Sequence, residues 1–225
     1  MDEEQIRLPG LVSPLRWETP PLRWTLTGGA ARPVGAGASG GAPRTLSAGS
    51  ILSVTTGPRT DLFVDPGGAS PTTNAPRLLA LADESFRLSA RVEVDFSSGF
   101  DAGVLLVWSD EATWAKLCFE RSPQGQPMVV SVVTRAISDD ANSFDVHGTA
   151  VWLRISRRGR AEYAFHASTD GTLWRFVRHF ALPCVDDAPV RVGVEVQAPT
   201  GEQCTARFSD LHYDLTPLAE LRNGG

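Results

Sequence analysis

Trp114, Lys116 and Glu120 place an aromatic ring, an amine and a carboxyl group at alternate positions of one predicted strand. Alternate residues of a strand share a face, so these side chains are expected to lie together. This face could bind a polar ligand, and Glu120 with Lys116 could act as an acid/base pair. It could equally be an ordinary solvated surface. The intervening residues are apolar and are expected to face a core: Ala115, Leu117 and Phe119.

A turn is expected to bring the preceding strand beside this one. The stretch Ser109 to Ala112 begins with turn-forming residues, and a fold there places Asp101 opposite Glu120. Opposed side chains have Cβ atoms roughly 5 Å apart, so the two carboxyl groups could share a proton. The same fold places Gly103 opposite Cys118, where the missing side chain would leave a hollow.

A second turn is expected at Pro123 to Gln126 and places Arg135 opposite Trp114. Both pairings depend on the turns, since a slip of one residue sends a strand's side chains to the other face.

Two interpretations of this charge group stay open. Carboxyl groups about 5.5 Å apart are what a retaining glycosidase needs, and their proximity raises one pKa, as an acid catalyst requires. Lys116 and Arg135 would oppose that rise by favouring the ionised forms, which would leave a static charge network.

Composition excludes several classes of protein. The chain has 225 residues, 42% of them hydrophobic, and a net charge of −5. The mild acidic charge argues against a nucleic-acid partner. The sequence shows neither a signal peptide nor an apolar run of roughly 20 residues that could span a membrane. We therefore expect a cytoplasmic protein.

No motif predicts a cofactor or a metal. The four histidines lack the spacing of a zinc site, and there is no nucleotide-binding glycine pattern and no serine nucleophile elbow. The cysteines are odd in number and form no evident disulfide framework: Cys118, Cys184 and Cys204.

Strand-forming segments dominate the chain. Valine, threonine and aromatic residues fill them, and Gly, Pro, Asp and Ser separate them at a spacing of roughly ten residues, which is typical of a β-sandwich or barrel. The predicted strands are Arg44 to Val54, Arg87 to Phe96, Ala102 to Trp108, Thr113 to Arg121, Pro127 to Arg135, Val151 to Ser156, Ala161 to Ala167, Leu173 to Phe180, Val190 to Gln197 and Cys204 to Leu215.

Two stretches of low complexity are predicted to be surface loops, at Gly28 to Gly41 and at Pro66 to Pro76. Either could rim or cover a binding site. No linker divides the chain, so residues 1–225 are expected to form a single domain.

The strings FDAGVLLVWSD, WAKLCFE and VVSVVTRAISDD, between residues 100 and 140, resemble the regulation-of-enolase-like proteins. This family belongs to the concanavalin A-like lectin/glucanase superfamily. The resemblance implies an all-β, two-sheet antiparallel jelly roll whose concave face commonly binds sugars. A fungal member is linked by name to galactose metabolism and enolase, which implies a connection with sugar metabolism.

The resemblance also implies a set of ligand-binding residues. On the concave face these are Trp114, Lys116, Glu120, Thr134 and Arg135, with Asp61 and Asp139 on neighbouring loops. For Asp61, hydrogen bonding to the backbone is the alternative role. Asp139, with Ser138 and Asp140, could instead offer oxygen ligands to Ca²⁺ or have a capping or turn role.

The superfamily's glucanases use a Glu-x-Asp-x-x-Glu strand. The nearest match here begins at Glu93 and Asp95, but Ser98 stands where the third acid belongs. This departure weighs against hydrolysis by that arrangement.

Three functions therefore remain open. The first is a module that binds a carbohydrate or another small molecule, because the predicted polar face lies near Trp108, Trp114 and Trp174 and sugars bind to aromatic faces with a few placed polar groups. The second is an enzyme acting on a carbohydrate or a glycosylated metabolite. The third is a regulatory module with a protein partner.

Overall fold

A computed structural model describes residues 5–28, 44–183 and 188–224. Most of the expected glycine-rich loop, residues 29–41, and Cys184 lie outside the described residues. The described ranges contain strands but no helix, and therefore no helix that could cross a membrane.

Strands lie at all ten predicted segments, with Arg44 to Val54 divided into two, and the strands that were not predicted lie within residues 6–27, 62–81 and 137–145. In chain order they are β1 (Ile6–Arg7), β2 (Arg16–Thr19), β3 (Arg23–Thr27), β4 (Arg44–Thr45), β5 (Ile51–Thr56), β6 (Leu62–Phe63), β7 (Thr72–Thr73), β8 (Arg77–Leu81), β9 (Phe86–Val94), β10 (Ala102–Asp110), β11 (Thr113–Arg121), β12 (Pro127–Arg135), β13 (Ile137–Asp145), β14 (Ala150–Arg158), β15 (Glu162–Ser168), β16 (Arg175–Ala181), β17 (Arg191–Gln197) and β18 (Cys204–Asp214).

Two seven-stranded sheets form the fold. The first sheet has the order β13-β12-β11-β10-β17-β8-β2, and the second has the order β16-β15-β14-β9-β18-β5-β3. Every pair of neighbours within these two sheets is antiparallel. The expected all-β, two-sheet antiparallel jelly-roll sandwich is confirmed.

The hydrophobic core lies between the two sheets. Ala115, Leu117 and Phe119 belong to it, together with residues of the second sheet such as Val92 and Phe208. The prediction that these alternate residues of β11 face a core is therefore confirmed. The other face of the first sheet, here called the outer face, carries Trp114, Lys116, Cys118 and Glu120.

The predicted register of the first hairpin is wrong by one residue. Glu120 pairs with Ala102 instead of Asp101, and the offset persists to Trp108. The physical reason is that β10 runs on to Asp110, with an irregularity between Trp108 and Asp110 that inserts one unpaired residue. Gly103 therefore faces the core and leaves no hollow on the outer face.

The second hairpin is also shifted by one residue. Trp114 pairs with Thr134 instead of Arg135. The loop between the two strands runs from Ser122 to Gln126 and so starts one residue earlier than expected. The backbone N–H of Ser122 donates to the Gln126 carbonyl and closes this five-residue loop. Arg135 is thereby turned away from the outer face.

Residues 57–76, here called the strap, cross the outer face of the first sheet. Thr60 forms an isolated bridge with Ala198 at the end of β17. At the other side the Ser138 backbone N–H donates to the Val64 carbonyl at 3.0 Å, and the Val64 N–H donates to the Ser138 hydroxyl at 2.9 Å. Hydrogen bonds at both sides hold the strap against the sheet. The expected loop from Pro66 to Pro76 forms its returning half.

Candidate functional site

A second apolar cluster lies on the outer face beneath the strap. It contains Trp108, Trp114, Cys118 and Leu106 from the sheet, and Leu62 from the strap. Burial by the strap explains why this face carries more apolar residues than a solvated sheet face would. It also raises the pKa of the Cys118 thiol.

Beside this cluster the outer face holds a pocket of about 490 Å³. Its walls combine aromatic and apolar groups with carboxyl, amide and amine groups. The lining residues used below are Asp61, Phe63, Phe100, Lys116, Glu120, Asp140, Asn142 and Gln197.

Lys116 lies at the floor of the pocket and is only 2% exposed. Its Nζ donates to Gln197 Oε1 at 2.8 Å and to Asp61 Oδ1 at 3.3 Å. Burial would lower the pKa of Lys116, but the negative charges of Asp61 and Glu195 outweigh this effect and raise the pKa above its ordinary value. Lys116 is therefore a fixed cation, and the structure does not favour it as a nucleophile or a base.

Asp61 lines the pocket and also bonds to the backbone. One oxygen, Oδ1, accepts a hydrogen bond from the Leu62 backbone N–H at 2.7 Å and also pairs with Lys116. Its own backbone N–H donates to Asn74 Oδ1 at 3.0 Å, which joins the two halves of the strap.

Glu120 is four residues from Lys116 on the same strand face and is 7% exposed. Burial raises the pKa of Glu120 to about 8; Lys116 opposes this rise, whereas Asp61, Asp140 and Glu195 add to it. The raised pKa favours the protonated form of Glu120, which can donate a hydrogen bond into the pocket.

Glu195, on β17, lies behind the pocket and is nearly inaccessible to solvent. Burial raises the pKa of Glu195 to about 7, against the opposing charges of Lys116 and Arg77. Both of its carboxyl oxygens are without a hydrogen-bond partner among the described residues. Lys116 is thus surrounded by acidic groups from three parts of the chain.

Phe100 forms one wall of the pocket and is 39% exposed. It has a left-handed backbone with φ of 68°, a conformation that costs a non-glycine residue energy and often marks a functional constraint. The Gln197 amide donates to the Phe100 carbonyl at 3.0 Å, and the Phe100 N–H donates to the Arg121 carbonyl at 2.7 Å. The ring is therefore held at the pocket by contacts with two strands.

Asp101 does not reach the pocket, and its predicted proton sharing with Glu120 is wrong. It is buried, and its Oδ2 accepts hydrogen bonds from the backbone N–H groups of Ser97 and Ser98, both at 2.8 Å. Because Ala102 takes its place opposite Glu120, Asp101 instead stabilises the turn that presents Phe100.

Trp114 and Thr134 lie on the outer face, but neither lines the pocket. The Trp114 ring is buried, with its centroid 5.8 Å from Lys116 Nζ. The Thr134 hydroxyl lies 2.9 Å from the Ser138 hydroxyl, which binds the strap. Both residues support the site from beneath.

Arg135 and Asp139 lie away from the pocket. Arg135 donates to the Ala181 carbonyl at the end of β16, and Asp139 Oδ1 pairs with Arg178 Nη2, also of β16, at 3.1 Å. Both residues connect the edges of the two sheets. Asp140, the next residue after Asp139, is the one that lines the pocket.

The aromatic residues at the pocket also differ from those expected. Trp108 is buried beneath Arg77, whose guanidinium carbon lies 4.3 Å from the ring centroid. Trp174 lies against Arg154 on the second sheet. The pocket's exposed ring is Phe100, which no sequence pattern indicated.

Sequence reasoning also missed Glu195 and Gln197 as members of the site. No motif around these two residues carries a chemical signal of its own. β17 lies between β10 and β8, so only the strand order brings these side chains next to Lys116.

The arrangement suits hydrogen bonding to a polar ligand. Nζ of Lys116 carries three donors, and two have partners among the described residues, which leaves one for a ligand. Asp61 and Asp140 can accept, and protonated Glu120 can donate. Within the described ranges, no group of three or more His, Cys, Asp or Glu could hold a metal ion.

Solved structures similar to this chain share its fold. A functionally unknown protein from Saccharomyces cerevisiae matches with a TM-score of 0.73 and 21% identity, over 91% of this chain and 97% of that chain. An engineered GH43 glycoside hydrolase with endo-xylanase and exo-arabinofuranosidase activity matches with a TM-score of 0.62 and 14% identity, over 96% of this chain and 41% of that one. The GH43 protein BlXynB (K247S mutant) from Bacillus licheniformis gives a TM-score of 0.60 and 13% identity, over 74% and 33% of the two chains.

At these identities the likeness is one of fold. The match to the two GH43 proteins covers less than half of each of them. No curated protein gives a significant match to this chain. A family model described as a protein of unknown function (DUF1349) matches residues 42–215. Since this match spans well over half of the sequence, the chain belongs to the DUF1349 family.

Proposed function

We propose that the pocket on the outer face binds a carbohydrate or another small polar molecule. The observation that carries this proposal is the buried Lys116, fixed by Asp61 and Gln197 at the floor of a 490 Å³ pocket beneath Phe100. A buried cation with acidic neighbours costs free energy, and such groups cluster at functional sites more often than elsewhere.

The size and lining of the pocket support this proposal. Pockets for small molecules measure roughly 300–1,000 Å³ and combine apolar walls with a few placed polar groups. Phe100 and Phe63 supply aromatic surface, and Lys116 and Asp61 supply polar groups whose positions are already fixed. Ligand binding therefore requires little reorganisation of these groups.

The comparisons lend support to a carbohydrate as the ligand. One of the similar structures is described as a GH43 glycoside hydrolase and another as a GH43 protein, so the fold occurs within a protein that acts on sugars. This support is additional to the geometry of the pocket, on which the proposal rests.

Isothermal titration calorimetry against a panel of neutral, acidic and amino mono- and oligosaccharides tests the proposal. We expect at least one compound to bind the wild type, and Lys116→Met to weaken that binding at least about ten-fold, which corresponds to about 1.4 kcal/mol. Arg207→Met is the matched control because it removes a cation from the exposed pair with Asp95 on the second sheet. No binding across the panel, or equal affinity of the Lys116→Met and wild-type proteins, would contradict the proposal.

An enzyme acting on a carbohydrate is the second candidate, and the protonated Glu120 is the observation that favours it. A carboxyl group with a pKa near the working pH is suited to general acid catalysis. Asp61 or Asp140, which also line the pocket, would serve as the second carboxylate. Hydrolysis of nitrophenyl glycosides by the wild type, lost in Glu120→Gln, is the expected result for this candidate. Undiminished hydrolysis in Glu120→Gln would exclude Glu120 as the acid.

A further inference from the structure

Acidic side chains outnumber basic side chains in the lining of the pocket. Asp61, Glu120 and Asp140 contribute carboxyl groups, and Lys116 is the single cationic side chain among the described lining residues. Glu195, on β17, adds a further carboxyl group that interacts electrostatically with Lys116. We infer that the pocket selects neutral polyhydroxy compounds and their amino derivatives, and excludes compounds that carry a carboxylate or a phosphate. This inference rests on the proposed function, because it names the class of ligand for the same pocket.

The cation at the floor is already neutralised. Lys116 forms its ion pair with Asp61 and a second hydrogen bond with the Gln197 amide oxygen. An anionic group would need several N–H donors and a net positive charge, which in proteins are usually supplied by arginine forks or clusters of basic residues. The described lining contains no arginine. Only one Lys116 N–H is left to donate to a ligand.

The carboxyl groups repel an anion from different sides. Asp61 lies on the strap and Asp140 lies on β13, at the opposite side of Lys116 across β12. Because these groups come from separate elements, a carboxylate or phosphate that approaches Lys116 meets negative charge on both sides. Interactions between charges are stronger in a partly buried pocket than in water.

A hydroxyl group fits the same surroundings. It can donate to a carboxylate and accept from the remaining Lys116 N–H in the same position. The exposed face of Phe100 can pack against the C–H groups of a sugar ring. An ammonium group on the ring would be attracted by Asp61 and Asp140, so an amino sugar should bind at least as well as the neutral sugar.

Calorimetry with matched sets of sugars tests the predicted order of affinities, in which amino and neutral sugars bind more tightly than anionic sugars. For glucose and for galactose, the neutral hexose is compared with its 2-amino derivative, its uronic acid and its 6-phosphate. We expect the amino and neutral sugars to bind at least about ten-fold more tightly than the two anionic forms. Tighter binding of a uronic acid or a sugar phosphate would overturn the inference while leaving a small-molecule pocket in place. No binding by any of these forms, or by the wider panel, would count against the proposed function itself.

Two variants that each remove one negative charge test whether the selectivity against anionic sugars arises in the pocket. Asp140→Asn should raise the ratio of anion affinity to neutral-sugar affinity by about ten-fold, because it removes one carboxylate from the lining. Asp139→Asn removes the same charge from the adjacent residue, which pairs with Arg178 outside the pocket, and should leave the ratio unchanged. Equal shifts in the two variants would overturn the assignment of selectivity to the pocket lining.

Discussion

Lys116 Nζ lies 3.3 Å from Asp61 Oδ1, and this contact joins the floor of the first sheet to the strap that covers it. The lysine is almost completely buried, whereas the aspartate side chain is 20% exposed. The pair therefore links a buried cation to the pocket surface. It also fixes the outgoing half of the strap, which contributes Phe63 as well as Asp61 to the pocket.

The Lys116–Asp61 pair is expected to be important for stability. Lys116→Met leaves Glu195, Glu120 and Asp61 without their shared cation, and loss of one partner of a buried pair costs about 3–5 kcal/mol. Urea denaturation should therefore show a large loss of unfolding free energy. A double-mutant cycle with Asp61→Asn should give a coupling energy of about 1–3 kcal/mol.

Arg207→Met provides the control for this cycle, since the Arg207–Asp95 pair is exposed and should contribute at most about 1 kcal/mol. If Lys116→Met is as stable as Arg207→Met, the buried pair does not have the role assigned to it.

The free energy of unfolding should fall as pH rises from 5 to 9. The folded state raises the pKa of Glu120 from 4.5 to about 8, so the folded protein binds more protons than the unfolded chain within this range. A raised carboxyl pKa contributes stability that is present below pH 4.5 and is lost as pH rises through 8. The raised pKa of Glu195, about 7, adds to this trend, whereas the pKa of His166, lowered by burial to about 4, opposes it below about pH 6.5. The raised pKa of Lys116 has its effect above pH 10.

Glu120→Gln should reduce the slope of the pH profile, and the part that remains is due to Glu195. The wild type should lose about 2–4 kcal/mol more than the variant across the range, since one pKa unit corresponds to about 1.4 kcal/mol. Glu162→Gln, which removes an exposed carboxylate whose pKa is lowered by Arg158, should keep the wild-type slope. Parallel pH profiles for the wild type and Glu120→Gln would contradict the assignment of a raised pKa to Glu120 in the folded protein.

Phe100 is expected to contribute to ligand binding, while its left-handed backbone lowers the stability of the protein. Phe100→Gly removes the ring and relieves the left-handed strain, whereas Phe100→Ala removes the ring but keeps the strain. The glycine variant should be about 1 kcal/mol more stable than the alanine variant. Both should bind the ligand about ten-fold more weakly than the wild type. A glycine variant that binds normally would exclude the ring from the site.

Gly103 tests the corrected register of the first hairpin. A Cβ atom at this position would lie 2.7 Å from Val92 Cγ1 and 2.9 Å from Ala206 Cβ, within the core. Gly103→Ala should therefore destabilise the protein by about 1–3 kcal/mol through overpacking. Gly148→Ala, where no atom lies within 4 Å of the added carbon, should be nearly neutral in thermal denaturation. If Gly103→Ala is equally neutral, the glycine faces open space and the observed register is wrong.

The central strands could be predicted from sequence because their pattern is local. The limits of β11 and β12 agree with the prediction at both ends, since alternating polar and apolar residues and flanking turn residues all lie within a few positions. β13 was missed because ISDDANSFD has polar residues on both faces. It is an edge strand, where polar residues on both faces are tolerated.

The site was predicted only in part, because side-chain alternation is local whereas register depends on the turns. Lys116 and Glu120 lie on the expected face, since both belong to β11. Asp101 and Arg135 were misplaced by single-residue differences in the two turns. The contribution of Gln197 depends on the non-local pairing of β10 with β17, which no local pattern specifies.

A crystal structure of the protein with the tightest-binding neutral sugar from the calorimetric panel tests the central claim most directly. The account predicts the sugar within the pocket, with its ring against Phe100 and one hydroxyl oxygen about 3 Å from Lys116 Nζ. A sugar bound elsewhere on the surface, with the space between Phe100 and Lys116 unoccupied, would contradict it.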